Sequence, residues 1–198
     1  MKKIMFSEHF GLQQAVIAKR KTMTRRIIND DYEDVKAYHA NGGWHFIADT
    51  KDGDSVEVKP AYEVGETIAI AQAYQTLRWP ALPGIDWKAI TDEVTHSKGW
   101  TNKMFVKAEL MPHQIQITDI QVQRLRDISI EDCFKEGIQE FASCSECGGP
   151  IYTLPEPNDD KCYFHPREAF EVLINGVCPR LTWESNPWVF VYSFKLIR

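Results

Sequence analysis

The sequence lacks three features that would each point to a class of protein. Basic residues are not in excess, because 23 Lys and Arg stand against 28 Asp and Glu, which gives a net charge of −5. The overall basic balance typical of nucleic-acid-binding domains is therefore absent. No apolar run approaches the ~20 residues of a membrane span. The start "MKKIMFSEHF" has two lysines but no apolar stretch behind them, so it does not have the pattern of a secretory signal peptide. We therefore expect no membrane partner and a cytoplasmic location.

Internal repeats, low-complexity segments and an even set of cysteines are also missing. The 198 residues suit one domain spanning 1–198. Five cysteines form an odd set, which fits metal binding with spare thiols better than a disulfide framework.

Two pairs of metal-binding residues stand close together in the second half of the chain. They are the C-x2-C pair Cys144 and Cys147 and the C-x2-H pair Cys162 and His165. Two such pairs suit tetrahedral zinc, and four protein ligands leave no open position for water. We therefore expect structural Zn²⁺ within a small insertion, residues 142–166. The alternatives are a loop with incidental thiols, or Cys178 or Cys133 in place of one ligand.

Positive charge is concentrated in one place in this acidic chain. The segment Lys19–Arg26 carries five basic residues and two threonines. One local positive site on an acidic body can attract a small anionic ligand such as a nucleotide. The alternative is a basic helix end that complements the helix dipole and lies in solvent.

Short strands and a few helices are predicted along the chain. Residues 31–62 are expected to form hairpins, and strands are predicted over "KKIMF", the stretch after Gly65, "QIQITDIQVQRL" and "NPWVFVYSFKLI". In "QIQITDIQVQRL" the alternation of apolar and polar residues slips between Ile117 and Ile120, which predicts a bulge at Thr118-Asp119. Helices are expected over "EHFGLQQAVIAKR", capped by Ser7, over "DISIEDCFKEGI", capped by Ser129, and over "PREAFEVLINGV". The fold class expected is α+β, mainly β, with a small mixed β-barrel and flanking helices.

Five stretches occur in order along nearly the whole chain: "KRKTMTRRII", "YEVGETIAI", "ITDIQVQRLRDISIEDCFKEGI", "FEVLIN" and "TWESNPWVFVYSFKLI". Together they resemble phage-encoded proteins of the ASCH type, which belong to the PUA-like superfamily. The resemblance implies a small β-barrel with flanking helices and a pocket or groove on one side. The cysteine insertion stands where such phage proteins often carry one.

The resemblance also implies two functions. Many ASCH domains were proposed to bind RNA, and a short bacterial branch hydrolyses N4-acetylcytidine to cytidine and acetate. That branch uses a lysine, a threonine three positions later and a glutamate at the end of the helix after the central strand. These positions fall on Lys21, Thr24 and Glu136, and the arginine-rich tail of the motif falls on Arg25 and Arg26. The Arg-Glu pair usual after "VGE" in the phage branch is replaced here by a segment containing Gln72.

Amide hydrolysis constrains how these side chains must be arranged. Thr24 would supply the hydroxyl, and Lys21 would act as a base only with its pKa lowered by burial and neighbouring cations. Glu136 would hold Lys21 charged, so proton shuttling or orientation suits it better. Residues three apart share a helix face but point oppositely in a strand, which predicts a helical or turn backbone from Lys21 to Thr24.

Further ligand-binding candidates are drawn from cations, aromatic rings and one amide: Arg20, Arg25, Arg26, Tyr74, Trp79, Trp183 and Asn186. Aromatic rings can stack on bases, and an asparagine can read a base edge. The rings are equally typical of core packing, and Asn186 before Pro187 is also typical of a turn.

Three functions are therefore open, with binding preferred over catalysis. The first is binding of RNA or a modified nucleoside in a basic groove. The second is an amidohydrolase acting on N4-acetylcytidine-like nucleosides, with Lys21, Thr24 and Glu136 converging in a closed pocket. The third is a phage accessory factor that binds a host protein through an exposed apolar patch on residues 142–166.

Overall fold

A computed structural model describes most of the chain: residues 1–28, 32–40, 42–77, 87–143, 148–156, 161–178 and 183–198. Ten strands and four α-helices lie within these ranges. The strands are β1 (Lys3–Ile4), β2 (Met23–Ile27), β3 (Tyr32–Ala40), β4 (Gly43–Thr50), β5 (Ser55–Val58), β6 (Thr67–Ile70), β7 (Gln114–Arg124), β8 (Gln139–Ser143), β9 (Pro150–Thr153) and β10 (Trp188–Leu196). The helices are α1 (Leu12–Ile17), α2 (Trp87–Thr95), α3 (Ile130–Lys135) and α4 (Pro166–Val177).

A five-stranded sheet organises the molecule, in the order β1-β6-β7-β10-β2. Only β1 and β6 run parallel, and the other neighbours are antiparallel. Strands β3, β4 and β5 form a second antiparallel sheet, and β8 pairs with β9. This arrangement confirms the α+β class. The expected closed barrel is not formed by the described strands, because β1 and β2 remain as edges of an open sheet.

The main core lies between the central sheet, the helices and part of the second sheet. Helix α1 contributes Leu12 and Val16, α4 contributes Phe170 and Leu173, and β4 contributes Phe46. Amphipathic helices laid on one face of a sheet bury their apolar stripes in this way. No helix among the described residues is both long and apolar enough to cross a membrane.

The predicted bulge in β7 is confirmed. Ser193 of β10 pairs with Asp119 and the next residue, Phe194, pairs with Ile117, so Thr118 is the extra residue. The bulge returns Ile120 to the buried face that Ile117 occupies.

The first helix is shorter than predicted and is not capped by the Ser7 side chain. It begins after Gly11, whose φ of 63° places it in the left-handed region. A Cβ at Gly11 would lie 2.5 Å from Glu156 Cγ, so this turn is fitted to a residue far away in the sequence. That tertiary contact is not encoded in the local periodicity, which is why the helix start was misplaced.

Candidate functional site

The turn after α1 directs Lys21 into the protein. Lys19 adopts a left-handed conformation with φ of 61°, and the amides of Arg20 and Lys21 both donate to the Ala15 carbonyl. A left-handed residue followed by such bonds is a common way to end a helix. The chain then enters β2, which pairs with the buried strand β10. Lys19 and Arg20 stay on the surface, whereas Lys21 is only 2% exposed.

A buried ion pair joins Lys21 to the residue that follows α3. Lys21 Nζ donates to Glu136 Oε2 at 2.5 Å and to the Glu136 carbonyl at 3.0 Å. The Glu136 side chain is 5% exposed. Ser129 caps α3 by accepting from the Asp132 amide, as predicted, and this fixes the helix that carries Glu136.

Arg25 completes the cluster from the opposite side of Glu136. Its Nη1 donates to Glu136 Oε1 at 2.8 Å, and its Nη2 donates to Asp132 Oδ2 at 3.1 Å. With its amide oriented to satisfy both atoms, Gln123 also accepts from Arg25. Two cations thus face two carboxylates, the balance that buried charges require.

Burial lowers the pKa of Lys21 from its ordinary value of 10.5. Desolvation is the largest cause, Glu136 opposes it, and the positive charges of Arg26 and Arg25 add to the lowering. The direction agrees with the requirement for a lysine base. Arg20, the third arginine of the basic segment, is not among the causes of this lowering.

Thr24 and Lys21 line one cavity of about 50 Å³ together with Glu136. Its other walls are Met5, Phe6, Ser7, Leu12, Arg25, Arg26, Phe170, Leu173, Ile174 and Val177. The predicted helical or turn backbone from Lys21 to Thr24 is wrong, because Thr24 lies within strand β2. Lys21 precedes the strand, so the alternation of side chains along β2 does not extend to it.

The five basic residues of the segment separate into three groups. Lys21 and Arg25 are buried, and Lys19 and Arg20 are exposed. Arg26 is half-buried at the cavity, where its Nη2 donates to the Met5 carbonyl at 2.9 Å. The guanidinium carbon lies 6.0 Å from the centre of the Phe6 ring.

The aromatic and amide candidates lie elsewhere. Tyr74 packs in a second core cluster, and its hydroxyl accepts from the Lys107 amide at 2.7 Å. Trp183 contacts Phe170 edge-on, outside the cavity lining. Asn186 has a φ of 45° and its Oδ1 accepts from the Arg126 amide at 2.8 Å, so it stabilises a turn. Trp79 falls outside the described residues.

The predicted zinc ligands are described only in part. Cys144 and Cys147 lie outside the described residues, and the described part of the chain contains no group of three or more side chains that could hold a metal ion. Cys162 is exposed. His165 caps α4 through its Nδ1, which accepts from the Arg167 amide at 3.2 Å and leaves Nε2 as the atom compatible with a metal. Zinc and the 142–166 insertion stay predictions.

The alternative zinc ligands are packed differently. Cys133 is fully buried in the main core, where burial raises the pKa of its thiol to about 11 and disfavours a thiolate. Cys178 is half-buried against the same core. Phe164, within the predicted insertion, is 66% exposed, and Phe141, the residue that precedes the insertion, is 64% exposed. Only Phe164 of the two lies within the predicted insertion, and the host-protein hypothesis stays a prediction.

Sequence reasoning missed Asp132 and Gln123 as partners of Arg25. In the sequence, Asp132 stands three residues after Ser129, which is the spacing of a capping box. Its separation of four residues from Glu136 on a helix was a usable signal, since such residues share one face. The pairing of Gln123 depends on the register of β7 against β10 and carries no local signal.

Gly137, the residue after Glu136, offers a test of how tightly the chain is packed in the corner where α3 ends. Its φ is 109°, and a Cβ would lie 3.1 Å from Pro155 Cγ and 3.6 Å from Lys21 Cβ. Gly137→Ala should lower the free energy of unfolding in urea by about 2 kcal/mol or more. Gly53→Ala is the control, since Gly53 has a φ of 87° with nothing within 4 Å, and should cost about 1 kcal/mol. An equal or smaller loss at Gly137 would contradict a tightly packed corner.

Comparison of the chain with protein-family models, curated proteins and solved structures finds no significant match. A function must therefore be inferred from the buried Lys21–Glu136 pair and the cavity beside it.

Proposed function

We propose that this protein is an amidohydrolase that removes the acyl group from an N4-acetylcytidine-like nucleoside. The observation that carries the proposal is the buried Lys21 amine, hydrogen-bonded to Glu136 and lining the same cavity as Thr24. A lysine, a hydroxyl and a carboxylate around one cavity supply the groups that acyl transfer needs.

The size and lining of the cavity favour catalysis over binding of a long strand. About 50 Å³ is room for a group of one or two water volumes, since each water occupies about 30 Å³ in the liquid. An acetyl group fits that scale. Phe6, Leu12 and Phe170 supply apolar contacts for its methyl.

The reaction balances with the residues at hand. Neutral Lys21 Nζ takes the proton of the Thr24 hydroxyl as Oγ attacks the acyl carbon. The Lys21 ammonium then stabilises the negative oxygen of the tetrahedral intermediate. The C–N bond breaks, N4 takes a proton from Lys21, and cytidine leaves. Water, deprotonated by Lys21, hydrolyses the Thr24 ester to acetate and restores the hydroxyl.

In this reaction Glu136 orients the Lys21 amine and relays its proton. It orients the Lys21 amine by accepting two hydrogen bonds from it, one at the carboxylate and one at the backbone carbonyl. The Lys21 proton can pass to Oε2 before the attack. Arg25 binds the other carboxylate oxygen and keeps the Glu136 side chain in place.

The family assignment belongs to this proposal. The α+β fold with a mainly antiparallel sheet is compatible with the PUA-like resemblance, and so are the positions of Lys21, Thr24 and Glu136. On this basis we assign the protein to the ASCH type, as a phage or prophage accessory protein acting in the bacterial cytoplasm. Structural zinc in the insertion is part of the same assignment.

The experiment is direct. The purified full chain is incubated with N4-acetylcytidine, and cytidine and acetate are measured by chromatography. We expect both products in equal amounts, with many turnovers per protein. Absence of cytidine with N4-acetylcytidine and its 5′-monophosphate as substrates would overturn the proposal.

A further inference from the structure

A second cavity is larger than the first and shares one lining residue with it. It measures about 230 Å³ and approaches the ~300 Å³ at which small-molecule sites begin. Its walls are Arg26, Ile27, Ile28, Val58, Lys59, Ala61, Phe190 and Tyr192. The shared residue is Arg26.

Arg26 differs from Lys21 and Arg25 in its charge partners. Lys21 and Arg25 form ion pairs with Glu136, and Arg25 also pairs with Asp132. Among the described residues Arg26 has no carboxylate within ion-pair distance, and its one hydrogen bond goes to a neutral carbonyl. A guanidinium has five donors, so most of its donors remain for a ligand.

The rest of the larger cavity does not repel an anion. Lys59 is exposed on its wall, and its nearest carboxylate is Glu57 at 3.9 Å. Tyr192 is buried, which raises the pKa of its phenol to about 12 and keeps it neutral. No acidic side chain occurs among the described lining residues. The larger cavity is therefore compatible with an anion, although the net charge of the chain is −5.

We propose that the larger cavity binds the phosphate of a nucleotide, with Arg26 as its main ligand and Lys59 as a second. The inference rests on the proposed function, in which the small cavity holds the acyl group of the same substrate. Planar guanidinium groups bind phosphate with two parallel hydrogen bonds, which lysine cannot reproduce. The substrate is then a phosphorylated nucleoside, either a mononucleotide or a residue within an oligonucleotide.

Binding to the full chain is measured by titration calorimetry with cytidine, cytidine 5′-monophosphate and a cytidine trinucleotide. We expect the monophosphate to bind about 10-fold or more tightly than cytidine, the scale of one charge-assisted contact. Arg26→Gln should remove this advantage, and Arg26→Lys should restore part of it. Arg20→Gln is the matched control, since Arg20 is exposed and lines neither cavity, and it should leave the ratio unchanged.

The outcomes separate this inference from the proposed function. Equal binding of cytidine and its monophosphate, no detectable binding of either, or the same ratio in Arg26→Gln would overturn the phosphate site. A phosphate advantage that depends on Arg26 supports the site even where no acyl group is released. Hydrolysis of N4-acetylcytidine without any advantage for its 5′-monophosphate would support the proposed function and contradict the phosphate site. A trinucleotide that binds more tightly than the monophosphate identifies an oligonucleotide as the source of the phosphate.

Discussion

Replacing Glu136 with glutamine should lower the free energy of unfolding by about 3–5 kcal/mol, the usual cost of removing one partner from a buried ion pair. Glu136 receives hydrogen bonds from two cations, at 2.5 Å from Lys21 and 2.8 Å from Arg25. Arg25 would keep Asp132, but Lys21 would keep only the Glu136 carbonyl. A buried charge without a counter-ion must either remain at high cost or lose its proton. Urea unfolding followed by circular dichroism measures the loss.

Two further variants make the result specific. Glu131 lies on the exposed face of α3, where its carboxylate contacts Lys135 at 2.7 Å, and Glu131→Gln should cost less than about 1 kcal/mol. Combining Lys21→Met with Glu136→Gln removes both charges, so the double variant should be more stable than Glu136→Gln alone. A Glu136→Gln protein as stable as Glu131→Gln would show that the ion pair is not buried as described.

Substituting Lys21 or Thr24 should reduce kcat/KM for N4-acetylcytidine by about 1,000-fold or more. General-base catalysis commonly contributes about 100-fold to 10,000-fold, and loss of the nucleophile removes the covalent step. Lys21→Met preserves the length of the side chain and leaves Glu136 paired with Arg25. Thr24→Val preserves the shape of the threonine and removes only the hydroxyl. Both variants should stay folded, which their near-ultraviolet circular dichroism checks.

Arg20→Gln serves as the matched control for these variants. It removes a cation from the same basic segment, but its side chain is exposed and outside the cavity. Its kcat/KM should equal that of the wild-type protein within about 2-fold, as expected for an exposed charge that does not line the cavity. Lys21→Met or Thr24→Val retaining a third of wild-type activity would exclude the proposed roles.

Local patterns predicted much of the scaffold. The Ser129 cap of α3, the bulge at Thr118 and the turn-rich hairpins of β3, β4 and β5 were all readable, because each depends on neighbouring residues. The start of α1 was not readable, since it depends on Gly11 packing against Glu156. Barrel closure also depends on distant edges, and the described strands leave the sheet open.

The site was only partly predictable for the same reason. Lys21, Thr24 and Glu136 came from the resemblance, and the structure places all three on one cavity. Charge in the sequence did not distinguish buried Arg25 from exposed Arg20, because Arg20 follows the turn at Lys19 whereas Arg25 lies within β2, opposite Val191 of β10. Aromatic residues carried no positional signal, and Tyr74 proved to belong to another core cluster.

Titration of the Lys21 amine by NMR, with ¹³C-labelled lysine assigned through Lys21→Met, tests the central claim most directly. The pH dependence of the free energy of unfolding is a less direct test, because different groups change it in opposite directions. Lys21 adds stability as pH rises from its lowered pKa to 10.5, whereas Cys133 and Tyr192, with raised pKa values, remove stability above their ordinary values. We predict that the pKa of Lys21 lies below 10.5 in the wild-type protein and falls further in Glu136→Gln. A pKa at or above 10.5 would contradict a buried lysine base.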